Sequence, residues 1–395
     1  MRRKAVLRFR GFFNGRGGPT PVALLEHFGT PVVARWISAL KSLGFTSFVV
    51  AAERGVLDAV EALLRGVSLR VEVEYFAPDA PLPADADLLV EADYLVEPGA
   101  LRRFVEGDHA RGVHAGKPVL EKPARGAGRS VELDELAEPR HRPACVYAGD
   151  LEAARRALVR WAQKGVHFTS VLNAPLENAL VRLLGDCRAV TPNRVTLAVN
   201  ALSLLAVLLF ANGQFLPAAA FSYLLGILDG VDGKLARVRG VLTKFGHLEH
   251  SLDALYEQAL YASFALGLAL HGYGFLAAAL GTALLVVDCF VRHVYNQFAL
   301  TAGKPLKHYT PLDRAFAFVD GRRNVYLIYA IAFSAAGHPL LALLAALTHA
   351  SLTAIVYFIR AARHLRELDE REGTAQLMRL STHSRKRSAR EAQHQ

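Results

Sequence analysis

Apolar residues are spread unevenly along this chain. Residues 195–363 hold nearly all the long apolar runs, while residues 1–190 mix short apolar stretches with charged ones. A helix needs ~20 apolar residues to cross a bilayer. Against that length the second half predicts six membrane segments, at roughly 195–216, 217–236, 250–273, 274–297, 323–338 and 339–360. The last is the cleanest, and the fifth has the shortest apolar core. The first half alternates differently. Strands are expected at 5–9, 47–51, 71–76 and 87–90, with helices at 31–43 and 56–64, the order of a parallel α/β sheet. Residues 151–186 carry periodic apolar positions and several arginines, which predicts one or two amphipathic helices, either on a membrane surface or as a soluble linker. The organisation expected is therefore an α/β domain at 1–150, juxtamembrane linker helices at 151–190, a six-helix all-α transmembrane domain at 191–366, and a basic polar tail at 367–395, unstructured from Arg379.

Composition sharpens this picture in two places. Hydrophobic residues make up 52% of the chain and the net charge is +10, so the partner is either nucleic acid or an anionic membrane surface. The membrane is favoured because many basic residues sit where apolar segments end. Lys234, Arg237, Arg239 and Lys244 follow the second segment, Arg292, Lys304 and Lys307 the fourth, and Arg360, Arg363 and Arg366 the sixth, while Arg322 and Arg323 precede the fifth. The opposite connections, around Asn212 and Gly272, carry no Lys or Arg, so both termini and these basic borders are expected in the cytoplasm. No nucleic-acid partner is expected. The first ten residues lack the apolar core of a signal peptide, and Cys145, Cys187 and Cys289 have no metal-ligand spacing.

Chemistry enters at Asp229 and Asp232. An acidic residue in a membrane helix costs about 2.5–3.5 kcal/mol on insertion scales, so it marks a functional site by default. Three residues apart, the two carboxylates share one helix face and present hard oxygens suited to Mg²⁺ or Mn²⁺. Gly226, Gly230 and Gly233 leave space beside them, and Arg237 lies further along for phosphate oxygens. In the next segment Glu249, Asp253 and Glu257 recur every four residues along one stripe, with His250 beside them. Asp288 is expected to pair with Arg292 at i+4.

Asp229, Asp232, Gly233, Ala236, Arg237 and Gly246, with the lead-in 191–196, resemble the signature of the CDP-alcohol phosphotransferase family. The likeness covers roughly 170–363. The family's third and fourth aspartates fall at His250 and Ala254 here, so the acidic pair with the family's separation is Glu249 and Asp253, one residue early. The resemblance implies transfer of a substituted phosphate from a CDP-alcohol to a lipid or polyol-phosphate acceptor hydroxyl, with release of CMP. It implies metal ligands at Asp229, Asp232, Glu249 and Asp253, and a base at Asp253, then Glu257, with His250 as runner-up. Gly233, Ala236, Arg237 and Gly246 would bind the donor, and Arg292, Lys307 and Arg322 an acceptor phosphate or headgroup. It admits a homodimer. The alternative is a degraded site that binds nucleotide without turnover, and a transporter is the weakest reading because no inverted repeat is visible.

The first half resembles sugar-phosphate nucleotidyltransferases, through 21–25, Gly29-Thr30-Pro31 and a helix ending at Gly44. Val22 stands where that family has a lysine, which removes a charge a triphosphate needs. Asp93 falls at its metal aspartate. This half is expected to be a degenerate, cytoplasmic nucleotidyltransferase-like domain.

Overall fold

The computed structural model describes residues 3–392 except 16–17, 66–69, 82, 126–127, 166 and 241–248, with the backbone alone at 125, 249–250 and 374–392. The chain divides into two units. One comprises Met1–Lys164, Ala174–Leu197 and Leu228–His247, the other Gly165–Asn173, Ala198–Ile227 and Leu248–Gln395.

The first unit is built on a seven-stranded sheet: β1 (Arg3–Arg8), β2 (Phe45–Ala51), β3 (Glu72–Phe76), β4 (Leu88–Glu91), β5 (Arg111–His114), β6 (Lys117–Glu121) and β7 (Ser130–Glu132). Their order is β7-β5-β6-β4-β1-β2-β3. Strands β4, β1, β2 and β3 run parallel, with Val6 between Leu89 and Val49. Ala5, Val6, Leu7, Phe48, Val49 and Val50 are all buried, as expected of parallel strands covered on both faces. The sheet is not wholly parallel, as the sequence pattern suggested. Strand β6 runs antiparallel to both β5 and β4. Ala115 and Gly116 between β5 and β6 both have positive φ (49° and 74°), the two-residue geometry that turns a chain back into a hairpin.

Helices α1 (Val32–Lys41), α2 (Arg54–Arg65) and α3 (Pro98–Glu106) pack on this sheet. Each buries one stripe: Val33, Trp36, Ile37 and Leu40 in α1, and Val56, Val60 and Leu64 in α2. Helix α4 (Leu151–Trp161) starts at Asp150, whose carboxylate accepts from the Ala153 N–H at 3.0 Å. Its apolar stripe is compatible with a membrane surface or with a soluble linker. Instead Ala154, Ala157, Leu158 and Trp161 are buried in the same core as the sheet. Periodicity reveals an apolar face, not what covers it.

His27 gives this unit a pH dependence. The ring is fully buried, and its Nε2 donates to the Ala148 carbonyl at 3.0 Å. Burial, and then the Arg35 cation beside it, push its pKa down to about 4. The folded form therefore keeps the ring neutral, while the unfolded chain protonates it near the reference value of about 6.5. Stability from this group is full above pH 6.5 and is lost as pH falls toward 4, by about 3 kcal/mol in all. Urea midpoints measured from pH 7 to pH 4.5 are expected to fall in the parent protein and to stay flatter in His27→Gln.

The remaining helices are α5 (Phe168–Leu184), α6 (Pro192–Ala211), α7 (Phe215–Arg239), α8 (Glu249–Leu268), α9 (Gly274–Ala302), α10 (Pro311–Phe316), α11 (Arg323–Ala335) and α12 (Pro339–Ala392). Among the described residues four helical stretches are long and apolar enough to cross a membrane: Pro192–Ala211, Phe215–Arg239, Ser251–Ala302 and Pro339–Gly373. The third is broken at His271 (φ −108°, ψ 38°) and Gly272 (φ 110°, ψ −8°), where α8 ends and the chain turns into α9. Helix α11, at 13 residues, is shorter than the ~20 a span requires.

Leu204, Leu208, Phe275, Val286, Ile355 and Phe358 are exposed, the surface a bilayer would cover. Inside the second unit, contact depends on small residues. A Cβ at Gly267 would overlap the Phe210 carbonyl, and one at Gly281 the Ala265 methyl. Helix α12 does not stop where its apolar run ends but continues to Ala392. The segment expected to be an unstructured tail is rich in Leu, Glu, Arg, Ala and Gln, which are strong helix formers, and Arg363 pairs with Glu367 at i+4.

Candidate active site

Helix α7 carries the acidic motif in its second half. Asp229 and Asp232 stand one turn apart on it, Asp229 half-buried and Asp232 fully buried. A buried carboxylate must be hydrogen-bonded. The Thr196 hydroxyl donates to Asp232 Oδ2 at 2.6 Å, and the Gly233 N–H donates to its Oδ1. A glycine follows each of these acids. A Cβ at Gly230 would stand 2.7 Å from Glu177 Oε1, and one at Gly233 would stand 3.1 Å from a nitrogen of the Arg237 guanidinium.

Lys234, directly after Gly233 and only 1% exposed, is fully engaged. Its ammonium pairs with Glu177 Oε2 at 2.9 Å and donates to Asn178 Oδ1 at 2.8 Å and to Gln163 Oε1, three donors for three acceptors. Arg237 Nε donates to the Ala162 carbonyl at 2.8 Å, and Ala236 is half-buried beside it.

The end of α7 is fixed by α1 and the loop before it. Arg35 donates to the Val238 carbonyl at 2.7 Å, Thr30 to Arg239 O at 2.8 Å and Ser38 to Gly240 O at 3.1 Å. The last carbonyls of a helix have no partner within it, and a cation there also meets the negative end of its dipole. Burial lowers the Arg35 pKa to about 10, so it stays charged at neutral pH. Val231 and Val238 of α7 are buried in the core of the α/β unit.

In the second unit a network of ion pairs joins α8, α9 and α11. Arg292 pairs with Asp288 at 2.8 Å, as the i+4 spacing implied, and also with Glu257. Arg323 reaches Glu257 at 3.5 Å, and Gln258 donates to Asp288 at 2.6 Å. Lys307 pairs with Asp320 at 3.1 Å, Arg322 pairs with the same carboxylate, and the Tyr357 hydroxyl donates to it at 2.7 Å. Burial works against that carboxylate, but Lys307 and Arg322 outweigh it and hold Asp320 below the usual range. The three cations expected to bind substrate, Arg292, Lys307 and Arg322, are thus each paired with an acid. Asp253 is half-buried on α8. Gly246 and the side chains of Glu249 and His250 lie outside the described residues.

The donor set suits a hard divalent cation. Among the described residues no group of three or more His, Cys, Asp or Glu side chains is placed to hold one ion. Two carboxylates a turn apart nevertheless meet the need of Mg²⁺, which keeps several waters and shares its shell between one or two carboxylates and substrate phosphates.

Several residues of the site escaped the sequence reading. Thr196 lay in the quoted lead-in without a role, and a threonine in an apolar helix carries no signal of its own. Lys234 was noted only as a basic border, and its acceptors Gln163, Glu177 and Asn178 come from α5 and the end of α4. Asp320, around which Lys307, Arg322, Tyr357 and His167 gather, carries no signal in the sequence pattern. In the first half, Asp93 Oδ2 accepts from the backbone N–H groups of Arg10 and Gly11 at 2.9 and 2.8 Å, pinning the loop after β1. Val22, at the family's lysine position, is buried in the core.

Residues 189–334 match the family model for CDP-alcohol phosphatidyltransferase. Over 112 residues the chain is 38% identical to Inner membrane protein YnjF of Escherichia coli (strain K12), covering 27% of this chain and 54% of that protein. Over 95 residues it is 33% identical to Phosphatidylinositol phosphate synthase of Corynebacterium glutamicum, covering 24% of this chain and 41% of that protein. The chain thus spans about half the length, or less, of the curated relatives it matches. It is also similar to the crystal structure of Mycobacterium tuberculosis phosphatidylinositol phosphate synthase (PgsA1) with CDP-DAG bound, at 18% identity and a TM-score of 0.38, over 48% of this chain and 92% of that one. The C-terminal half of this chain carries a CDP-alcohol phosphatidyltransferase domain, at residues 189–334.

Proposed function

We propose that this protein is an integral membrane transferase that moves a substituted phosphate from a CDP-alcohol to an acceptor hydroxyl and releases CMP. The observation that carries the reading is the carboxylate pair Asp229 and Asp232, one turn apart in an apolar helix within the family domain, with Asp232 oriented by Thr196. In the reaction the acceptor oxygen attacks the phosphorus next to the donated alcohol. The anhydride P–O bond breaks, and the bridging oxygen leaves with CMP.

Asp229 and Asp232 would hold Mg²⁺ or Mn²⁺, and sequence spacing assigns Glu249 and Asp253 to the same task. A divalent cation there supplies charge neutralisation for the donor diphosphate. Asp253 takes the proton of the acceptor hydroxyl. Glu257 is the poorer base because Arg292 and Arg323 already engage it. Gly233 and Ala236 keep the path of the donor narrow and free of side chains, Arg237 faces its phosphates, and Gly246 belongs to the same signature. Arg292, Lys307 and Arg322 are assigned to a phosphate or headgroup on the acceptor, a lipid or a polyol phosphate, in phospholipid or polyol-phosphodiester synthesis.

The break at His271–Gly272 divides the third apolar stretch in two, which makes five long spans. The sixth rests on α11, which at 13 residues needs a thin stretch of bilayer. The Lys/Arg borders favour cytoplasmic termini and a cytoplasmic site. The α/β half serves as a support that caps α7 rather than as a second catalyst.

Membranes containing the full chain, given CDP-alcohols carrying labelled phosphate, are expected to transfer label to an acceptor with Mg²⁺ and to stop with EDTA. Saturable CDP-alcohol binding without any CMP release across a donor and acceptor screen would establish the nucleotide-binding alternative instead.

A further inference from the structure

A cavity of about 230 Å³ in the first unit is lined on one side by α4 and on another by α5. Helix α4 contributes Arg156 and Arg160, and Gln163 follows just past its end. The spacing i, i+4, i+7 is a single helix face. Helix α5 contributes Asn178 and Arg182, again i and i+4, and Arg140 closes the third side. Among the described residues no carboxylate lines this cavity.

Four guanidiniums around one small space repel one another unless an anion balances them. The existing bonds of Arg156, Arg160 and Arg182 leave most of their capacity open, since each guanidinium has five N–H donors. Arg140 pairs with Glu138 at 3.0 Å, Arg156 with Glu152 at 3.3 Å, and Arg160 donates to the Arg142 carbonyl. Arg182 has neither an ion pair nor a hydrogen bond among the described residues. Asn178 Oδ1 is occupied by Lys234, so its amide nitrogen is the group left to donate.

We propose that this pocket, whose lining includes neither Asp229 nor Asp232, binds a phosphate-bearing anion. Arginine forks match phosphate oxygens in pairs, which carboxylate-free walls and an amide donor complete. Leu176 and Leu183 are exposed on the outside of α5, so the phosphate comes either from an anionic lipid headgroup or from a soluble ligand.

The test uses the full chain in neutral detergent. One arm titrates inorganic phosphate and the other short-chain phosphatidylglycerol, both read by calorimetry. Trp161, whose indole N–H donates to the carbonyl of the lining residue His141 at 2.7 Å, provides a second, fluorescence readout. Saturable binding of phosphate assigns a soluble ligand, and binding of the lipid alone assigns a headgroup. In either case Arg156→Gln/Arg182→Gln, at exposed positions, is expected to weaken binding by about tenfold or more. Ala174→Phe, which fills the cavity and leaves every charge, is expected to do the same, whereas Arg65→Gln on α2 leaves binding unchanged. If neither probe binds the parent protein, or if Arg65→Gln weakens binding as much as the pocket variants, the site does not exist.

Discussion

Asp232→Asn is expected to lower CDP-alcohol-dependent transfer by roughly 10³-fold, the scale set by removing one preorganised electrostatic group from a water-poor site. The amide keeps the size of the carboxylate and can still accept from the Thr196 hydroxyl, so folding is expected to survive. What disappears is the negative charge, and with it a ligand for the divalent ion. Thr196→Val separates orientation from charge. It removes the 2.6 Å hydrogen bond but leaves the carboxylate, so a loss of only about tenfold is expected. CMP release in membranes, with thermal midpoints as the folding control, measures both. Equal activity in Asp232→Asn and the parent protein would show that the motif is not the catalytic centre.

Arg35→Met carries the largest expected effect on stability. Its guanidinium is buried between two elements and donates to the Val238 carbonyl at 2.7 Å and the His27 carbonyl at 2.9 Å. Methionine fills much of the volume but offers no donor. Two buried carbonyls then lose their partner, at a cost of about 2–4 kcal/mol. The last turn of α7 loses its facing cation as well. Denaturant titration followed by tryptophan fluorescence is expected to show the loss, because Trp36 lies one residue away on α1. A change below about 0.5 kcal/mol would mean that Thr30 and Ser38 suffice to hold the helix end.

How much of this was legible in the sequence follows from the range of the interactions involved. Long apolar runs need no partner to declare themselves, so the six expected membrane segments fall on helices α6–α9, α11 and α12. The central strands were legible because residues such as Ala5-Val6-Leu7 and Phe48-Val49-Val50 form near-continuous apolar runs. Strands β5, β6 and β7 were not, being three to five residues long and interrupted by Gly112 and Pro118. The reversal that makes β6 antiparallel depends on positive φ at Ala115, a residue with no turn preference.

Among the site residues, Asp229 and Asp232 stood out because acids are costly in an apolar run. The contacts that hold their helix did not. Lys234 finds its acceptors on α5 and after α4, and Arg35 finds Val238 from the far half of the chain. Neither pairing leaves a local pattern.

The three side chains of Thr30, Arg35 and Ser38 have a bearing on how this gene can be divided. Splitting it into separate soluble and membrane polypeptides would leave the carbonyls of Val238, Arg239 and Gly240 bare at the foot of the helix that bears the acidic pair. A C-terminal half synthesised alone would start with a frayed end on the helix that carries the proposed metal ligands, so the join between the two parts supports that helix and is not only a tether.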